Sequence, residues 1–217
     1  MKFETPNGPV SFDLDHLVVA GWTGRDLDKV QHHIDELAAI GVAPPSQVPL
    51  FYRTSVNLLG QGKQIEVLGQ GTSGEVEPLI IHANGALWLG LGSDHTDRLL
   101  EAHSVAASKQ ACAKPVAKAI WPLAEVNPHL DEVELHCEIN EEGKWVTYQT
   151  GTLSSISPLA ELIAASSLPE GGAMLCGTLG AIGGVRESSA YRLRMTDPVL
   201  EREISLEYNV TTLPVIA

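Results

Sequence analysis

Hydrophobic and polar residues alternate in several short stretches of this chain, and Gly, Pro and Asn residues separate these stretches. Alternation with a period of two is typical of β-strands that bury one face. The pattern predicts strands or extended segments over residues 11–22, 48–59, 64–68, 132–139, 144–149, 191–196 and 203–210, with a further buried strand inside 171–184. In the clearest stretch one face would carry four apolar residues: Val133, Leu135, Cys137 and Ile139.

A second pattern predicts helices. Apolar residues from Leu27 to Ala38 recur at a spacing of three and four, so a helix is expected over residues 26–40. A helical stretch is also expected after Arg98, and another over residues 159–165, with Ser157 as N-cap and Pro158 in the first turn. The prolines between residues 113 and 123 argue against regular structure there. Because no repeat or linker is visible, we predict one β-dominated domain over residues 1–217.

A pair of glutamates precedes the strongest hairpin signal. The dipeptide 84–85, Asn-Gly, stands between two apolar stretches, as in a two-residue β-hairpin turn. Glu75 and Glu77 are two residues apart, so on a strand both side chains leave the same face, roughly 6.5–7 Å apart. The hairpin would bring Asp94 beside them, and three carboxylates predict a site for a hard divalent cation such as Mg²⁺. The alternative is a solvated edge strand that carries two glutamates.

Composition narrows the classes of function. The formal net charge is −13 and no segment is rich in Lys and Arg, so neither a nucleic acid nor an anionic membrane is an expected partner. No apolar stretch reaches the roughly 18 residues of a membrane span, and the first residues lack the apolar region of an export signal. Three scattered cysteines favour a reducing compartment. We therefore expect a cytoplasmic protein, whose substrate can be a small anion if a metal and local cations offset the charge.

Other candidate residues each have a structural alternative. His33 and Glu36 are three apart on one helix face, which suits either a general base oriented by a carboxylate or an ordinary surface pair. Lys114 is either a substrate-facing cation or a surface lysine. Gly177 and Thr178 offer N–H groups and a hydroxyl to an anion, or form a plain turn. No nucleophile elbow, Walker loop or dinucleotide fingerprint is present, so a nucleophilic triad and phosphate-cofactor chemistry are not expected.

The order of these motifs resembles that of the fumarylacetoacetate hydrolase superfamily, from about residue 26 to the end. Its shorter members carry a His-x-x-Glu pair on an early helix, a Phe-containing extended segment, Glu-x-Glu, an Asp motif ending in Arg, a Lys segment, a strand pair and a Gly-Thr loop. The corresponding segments here are His-Ile-Asp-Glu (33–36), 50–55, Glu-Val-Glu (75–77), Ser-Asp-His-Thr-Asp-Arg (93–98), Ala-Lys-Pro (113–115), 148–151 and Gly-Thr-Leu-Gly (177–180). The chain looks closest to a bacterial branch distinct from the well-studied hydrolases.

The resemblance implies a mixed, β-rich α+β fold, the fumarylacetoacetate hydrolase-like β-roll with a few peripheral helices. Residues 1–50 would supply a strand and a lid-type helix, and residues 51–217 the core of the roll. A homodimer is implied, with Mg²⁺ or Mn²⁺ held by Glu75, Glu77 and Asp94. The catalytic and substrate-binding residues implied are His33, Glu36 and Lys114 for catalysis, and Arg53, Arg98, Gln149, Gly177 and Thr178 for binding.

The implied function is a divalent-metal-dependent hydrolase or lyase that cleaves a C–C bond in a small 2-oxo or β-diketo acid through an enolate held at the metal. One alternative is an isomerase or dehydratase that uses the same enolate, and another is a non-catalytic protein that binds a small molecule. The chain departs from the superfamily pattern at several positions, since His95 and Asp97 place an extra imidazole and an extra acid near the site. Pro115 and Leu179 replace the usual serine and proline.

Overall fold

The computed structural model describes residues 1–39 and 44–216, and at positions 33, 36, 37 and 39 the backbone only. The strands are β1 (Lys2–Thr5), β2 (Gly8–Ser11), β3 (His16–Gly21), β4 (Leu50–Thr54), β5 (Leu59–Gly60), β6 (Gln64–Leu68), β7 (Thr72–Ser73), β8 (Val76–Ala83), β9 (Ala86–Ser93), β10 (Thr96–Asp97), β11 (Lys114–Pro115), β12 (Trp121–Pro122), β13 (Glu134–Glu141), β14 (Lys144–Thr152), β15 (Gly172–Leu175), β16 (Ala190–Asp197) and β17 (Arg202–Leu213). The α-helices are α1 (Leu27–Ala39), α2 (Arg98–Glu101), α3 (Val105–Ala111), α4 (Leu123–Val126) and α5 (Leu159–Ser166), and 3₁₀ turns cover Val56–Leu58, Asn127–Glu132 and Leu153–Ser155.

Two β-sheets share the main core. The first has the strand order β12-β9-β8-β15-β3-β4, and the second has the order β14-β13-β16-β17-β6. Within these two sheets, neighbouring strands are antiparallel except in the pairs β15–β3 and β17–β6. Ile80 and Leu89 of the first sheet and Leu135 and Leu193 of the second are almost fully buried in this core. The removal of such apolar side chains from water drives the two sheets together.

A second apolar cluster covers the other face of the first sheet. Phe3 and Phe12, whose ring centroids are 5.6 Å apart, pack there with Leu17 and Ile81. The predicted single strand over residues 11–22 is therefore corrected, because β2 ends at Ser11 and β3 starts only at His16. Residues 12–15, Phe-Asp-Leu-Asp, have no regular structure and connect the small β1–β2 hairpin to the first sheet.

Several predicted strands and turns are confirmed. β6 has the predicted bounds, and in and beside β13 the four alternating residues from Val133 to Ile139 are fully buried. β8 and β9 form a hairpin whose two-residue turn has φ of 55° at Asn84 and 70° at Gly85. Positive φ at both positions is the property of a type I′ turn that favours Asn-Gly. The segment 48–59 is corrected in part, since only Leu50–Thr54 forms a long strand there.

The helices agree with the predictions except at the N-cap of α5. α1 covers the predicted stretch, and the region after Arg98 holds two short helices, α2 and α3. α5 starts as expected, but Pro158 occupies its N-cap position and makes no side-chain cap, while the Ser157 N–H donates to the Thr23 carbonyl at 2.7 Å. The proline-rich segment contains the two-residue strands β11 and β12, which tolerate proline because they pair at sheet margins. None of the described helices has the length and apolarity needed to cross a bilayer.

Candidate metal centre

Three carboxylates converge at the open end of the β8–β9 hairpin. Glu75 precedes β8, Glu77 is its second residue, and Asp94 follows the last residue of β9. The pairing of Val76 with Ser93 sets these side chains level with one another. One oxygen of each carboxylate lies within 4.8 Å of the others. The convergence predicted from the Asn-Gly turn is thus confirmed.

Glu77 lies deep in the cluster, where its residue is 2% exposed. Its Oε2 accepts a hydrogen bond from the Gly177 N–H at 2.9 Å. Burial raises the pKa of the Glu77 carboxyl well above its usual value, and the charges of Asp94 and Glu75 raise it further, against the opposing effect of Lys109. A cation at the cluster would favour the ionised form of Glu77, which is the form that binds metal.

Asp94 is fully buried between two lysines. The Lys109 ammonium donates a hydrogen bond to Oδ2, and Lys114 Nζ lies 2.9 Å from Oδ1. This second contact is an ion pair and not a hydrogen bond, since Oδ1 has no hydrogen-bond partner among the described residues. Burial alone raises the pKa of Asp94, but the two ammonium groups outweigh it and hold this pKa well below its usual value. Asp94 is therefore ionised.

Glu75 is held by Arg98. The Arg98 guanidinium lies 2.9 Å from Glu75 Oε1 and 2.9 Å from Glu101 Oε2, and its Nε donates to Ser73 Oγ at 2.7 Å. The structure brings Arg98 to the cluster as predicted, but these contacts make it a partner of two carboxylates. Glu75 is the most open of the three ligand candidates, with 17% of its side chain exposed.

The Gly-Thr loop is tied to the start of β8 by Gln149. The buried Gln149 side chain accepts from the Val76 N–H at 2.9 Å and donates to Thr178 Oγ1 at 2.8 Å and to the Leu179 carbonyl at 2.6 Å. The Thr178 hydroxyl donates in turn to the Val76 carbonyl at 2.8 Å. Both of these predicted substrate-binding side chains, Gln149 and Thr178, therefore have protein partners that position Gly177 against the acidic cluster.

Arg53 is placed away from the cluster. It lies on β4, and its guanidinium donates to the backbone carbonyls of Leu17 at 3.0 Å and Asp15 at 3.2 Å, and to that of Thr54. These contacts give no support to the substrate-binding role predicted for it. Because successive residues of a strand point to opposite faces, Tyr52 and Arg53 lie on opposite faces of β4.

His95 and Asp97, the two unusual residues of the Asp motif, have structural roles. His95 is fully buried, with Nδ1 3.1 Å from the Tyr208 hydroxyl and Nε2 2.9 Å from Thr72 Oγ1. Burial, with Lys114 and Arg98 nearby, lowers the pKa of His95 to about 3, so its imidazole is neutral. Asp97 is the N-cap of α2, where its carboxylate accepts the N–H groups of residues 99 and 100.

The predicted acid–base pair lies on α1, but the side chains of His33 and Glu36 fall outside the described part of the structure. Their catalytic role stays a prediction.

A family model described as "Protein of unknown function (DUF2848)" matches residues 20–208. The chain belongs to the DUF2848 family. No curated protein matches the chain.

Solved structures share the fold of this DUF2848 chain. The crystal structure of Cg1458 superposes with a TM-score of 0.65 and 14% identity, over 93% of this chain and 78% of that one. A 2-keto-3-deoxy-D-arabinonate dehydratase complexed with magnesium and 2,5-dioxopentanoate gives a TM-score of 0.64 and 16% identity, over 94% and 75% of the two chains. At this identity the likeness shows the fold alone. The predicted class, a β-rich α+β fold of the fumarylacetoacetate hydrolase type, is confirmed.

The donor atoms of this DUF2848 chain fit a hard divalent cation. The cluster offers carboxylate oxygens, which suit Mg²⁺ or Mn²⁺ better than a soft metal. Asp94 Oδ1 has a lone pair without a hydrogen bond, and the partial exposure of Glu75 leaves room for water ligands. Two clefts of about 340 and 430 Å³ lie elsewhere, one beside His129 and one beside Leu59. We place the functional site at the cluster because the convergence of buried charges, and not cavity size, supports chemistry.

Lys109 is a residue of this site that the motif order did not identify. It lies on α3, five residues before Lys114, in a stretch of small side chains, and it is 6% exposed. A lysine that faces inward from a short helix has no signature in the sequence pattern. Its isolation among alanines and serines was the only available signal.

Proposed function

We propose that this chain is an enzyme that holds one Mg²⁺ or Mn²⁺ on Glu75, Glu77 and Asp94 and acts on a small 2-oxo or β-diketo acid. The observation that carries the proposal is the convergence of the three carboxylates within 4.8 Å at a buried position. The shared fold with a dehydratase that was crystallised with magnesium and a dioxo acid supports it. Membership of the fumarylacetoacetate hydrolase superfamily, a homodimeric state and a cytoplasmic location form part of the same proposal.

A bound divalent ion would act as a Lewis acid on the adjacent oxygens of such a substrate and stabilise the negative charge of an enolate. The residues around the ligands keep the three carboxylates in place. Arg98 fixes Glu75, the Gly177 N–H fixes Glu77, and Lys114 fixes Asp94. Preorganised ligands lose little freedom when the cation binds, which favours a defined geometry at the substrate.

The reaction we propose is cleavage of a C–C bond by hydrolysis or lysis, with His33 and Glu36 on α1 as the acid–base pair. Elimination of water, as a dehydratase, is the second candidate, and the neighbour that is a 2-keto acid dehydratase favours it. Assays on a panel of 2-oxo acids distinguish the two reactions, since C–C cleavage yields two carbon-containing products and dehydration yields one. Full turnover by the His33→Ala variant would show that His33 is not the base. If the wild type turned over none of these acids, a protein that only binds a small molecule would be favoured.

The metal site is tested by calorimetry. Mg²⁺ and then Mn²⁺ are titrated into chelator-treated protein, with and without oxalate as an unreactive mimic of a 2-oxo acid. We expect one ion per chain, tighter binding with oxalate present, and loss of binding in the Glu75→Gln variant. The matched control is Glu66→Gln, which changes an exposed glutamate on β6.

The control variant should bind metal as the wild type does. If the wild type binds neither ion even with oxalate present, the likeness to metal-dependent enzymes is one of fold only.

A further inference from the structure

Among the described residues three cations surround the acidic cluster, and two of them lie against more than one oxygen atom. Arg98 contacts Glu75, Glu101 and Ser73. Lys114, which has no exposed surface, donates to the His95 carbonyl and pairs with Asp94. These partners fix both cations as parts of the protein framework.

Lys109 differs from the other two cations. Among the described residues its ammonium has one hydrogen-bond acceptor, Asp94 Oδ2, although an ammonium group carries three N–H donors. Its Nζ lies 5.8 Å from the centre of the Tyr52 ring, a second favourable contact that uses no N–H donor. The Lys109 ammonium pairs with the Asp94 carboxylate and so adds a positive charge to the site.

The charge of the site depends on Lys109. With Glu101, which shares Arg98, four carboxylates face three cations, so the site without metal carries a small negative charge. A divalent ion reverses the sign, and an anionic ligand then finds a positive site. Without the Lys109 ammonium, the same site would attract a metal ion more strongly. With a divalent ion bound it would carry no net charge and would not attract an anion.

We propose that Lys109 is the ligand-binding cation of this site, whose free N–H donors take a carboxylate oxygen of the oxo acid beside the metal. This role of Lys109 rests on the proposed metal site. It names the residue that makes anion binding depend on prior metal binding. The ligand class it fits is an acid with a carboxylate next to its oxo group, short enough to reach the metal and Lys109 together. Lys114, by contrast, holds Asp94 in place.

The test separates metal affinity from ligand affinity. Mg²⁺ is titrated into chelator-treated wild type and into Lys109→Met, and oxalate is then titrated into the Mg²⁺-loaded proteins. We expect Lys109→Met to bind Mg²⁺ several-fold more tightly, because a repelling charge is gone, and oxalate roughly tenfold to a hundredfold more weakly, as for the loss of a charge-assisted hydrogen bond. The opposite signs are decisive, because a residue needed only for folding would lower both affinities.

Two further variants complete the experiment. Lys109→Gln removes the charge but can still donate to Asp94, and it replaces the methionine variant in the same comparison if that variant is unstable. Lys144→Met removes an exposed lysine at the start of β14, and both affinities should stay as in the wild type.

If the wild type binds metal and oxalate and the Lys109 variants bind both equally well, or lose both together, the role assigned to Lys109 is wrong while the metal site stands. If the wild type binds no metal, the metal site and the Lys109 role fall together.

Discussion

At the scale of single residues, Gly177 shows how closely the Gly-Thr loop approaches the rest of the site. Its φ is 99°, and a Cβ atom added there would lie 1.6 Å from Thr23 Oγ1. Its N–H is also the hydrogen-bond donor to Glu77. Glycine is therefore required for both backbone conformation and space, and the reach of the loop to Glu77 depends on it.

We expect Gly177→Ala to lower the free energy of unfolding by about 2–4 kcal/mol, from left-handed backbone strain together with the clash with Thr23. Weaker Mg²⁺ binding should accompany this, because the loop must move away from Glu77. Urea unfolding and calorimetry measure the two effects. The control is Gly180→Ala, where an added Cβ meets nothing within 4 Å, and its stability should stay within about 0.5 kcal/mol of wild type. Equal behaviour of the two variants would contradict this explanation.

At the scale of elements, the segment from α2 to α3 carries two of the cations of the site. Arg98 is the first residue of α2 and Lys109 lies on α3. The Asp97 carboxylate caps α2 with hydrogen bonds of 3.0 and 2.9 Å to the N–H groups of Leu99 and Leu100. The cap thus sets where this helical segment starts relative to the cluster.

We predict that Asp97→Ala costs about 1 kcal/mol of stability through loss of the cap, whereas Asp97→Asn, which keeps a capping oxygen, costs little. Chemical denaturation of the two variants gives the comparison. Mg²⁺ affinity should be unchanged in Asp97→Asn, because the Asp97 carboxylate is engaged by α2. Weaker metal binding by the asparagine variant would instead make Asp97 part of the metal site.

At the scale of the whole molecule, we expect metal binding and stability to be coupled through Glu77. Because its pKa is raised by burial, the ionised carboxyl opposes folding when no cation is present. In chelator, Glu77→Gln should be at least as stable as wild type, since the amide oxygen can still accept the Gly177 N–H. In Mg²⁺ at a hundred times its dissociation constant only the wild type should gain, by about 2.7 kcal/mol. Thermal unfolding with and without metal checks this, and a Gln variant that is markedly weaker in chelator would point to a purely structural cluster.

A second ionic group joins distant parts of the fold and gives it acid sensitivity. Asp197, at the end of β16, lies 2.9 Å from His129 Nε2 and 3.2 Å from Arg202 Nε. Burial alone raises the pKa of Asp197, but the Leu200 N–H, His129 and Arg202 outweigh it, so this pKa lies below its usual value. The stability that Asp197 contributes is therefore complete above the unfolded value of about 3.9 and is lost as pH falls through the lower folded value.

Asp197→Asn should be less stable than wild type by on the order of 1–3 kcal/mol at pH 7, because buried partners lose their acceptor charge. The difference should shrink as pH falls below the unfolded value towards the lower folded value, because wild-type Asp197 then also takes up its proton. Urea unfolding at several pH values measures it. Glu207→Gln, which breaks an exposed pair with Arg192, is the control and should change stability by less than about 1 kcal/mol. A pH-independent difference would assign the effect to packing.

Local patterns were sufficient to predict much of the fold and the convergence of the three carboxylates. The Asn-Gly turn fixes the register of β8 and β9, and that register alone places Asp94 level with Glu75 and Glu77. The buried face of β13 and the extent of α1 follow in the same way from periodicity, because each depends on neighbours in sequence. The break between β2 and β3 was missed because Phe12 and Leu14, which lie between the two strands, continue the apolar alternation and pack in the same cluster as Leu17.

The sequence by itself determined most of the longer strands, the first helix, the hairpin and hence the positions of the three carboxylates, since these depend on contacts within one element or between adjacent ones. Only the tertiary structure decided the partners of the charges. Arg98 pairs with Glu75 and Glu101, and Lys114 pairs with Asp94. Arg53 donates hydrogen bonds to the backbone of β3 and of nearby residues. Lys109 reaches Asp94 from a separate helix, fifteen residues along the chain. A long, flexible side chain has several partners within reach, and the choice among them is set by burial and by the summed field of all nearby charges, which no local pattern records.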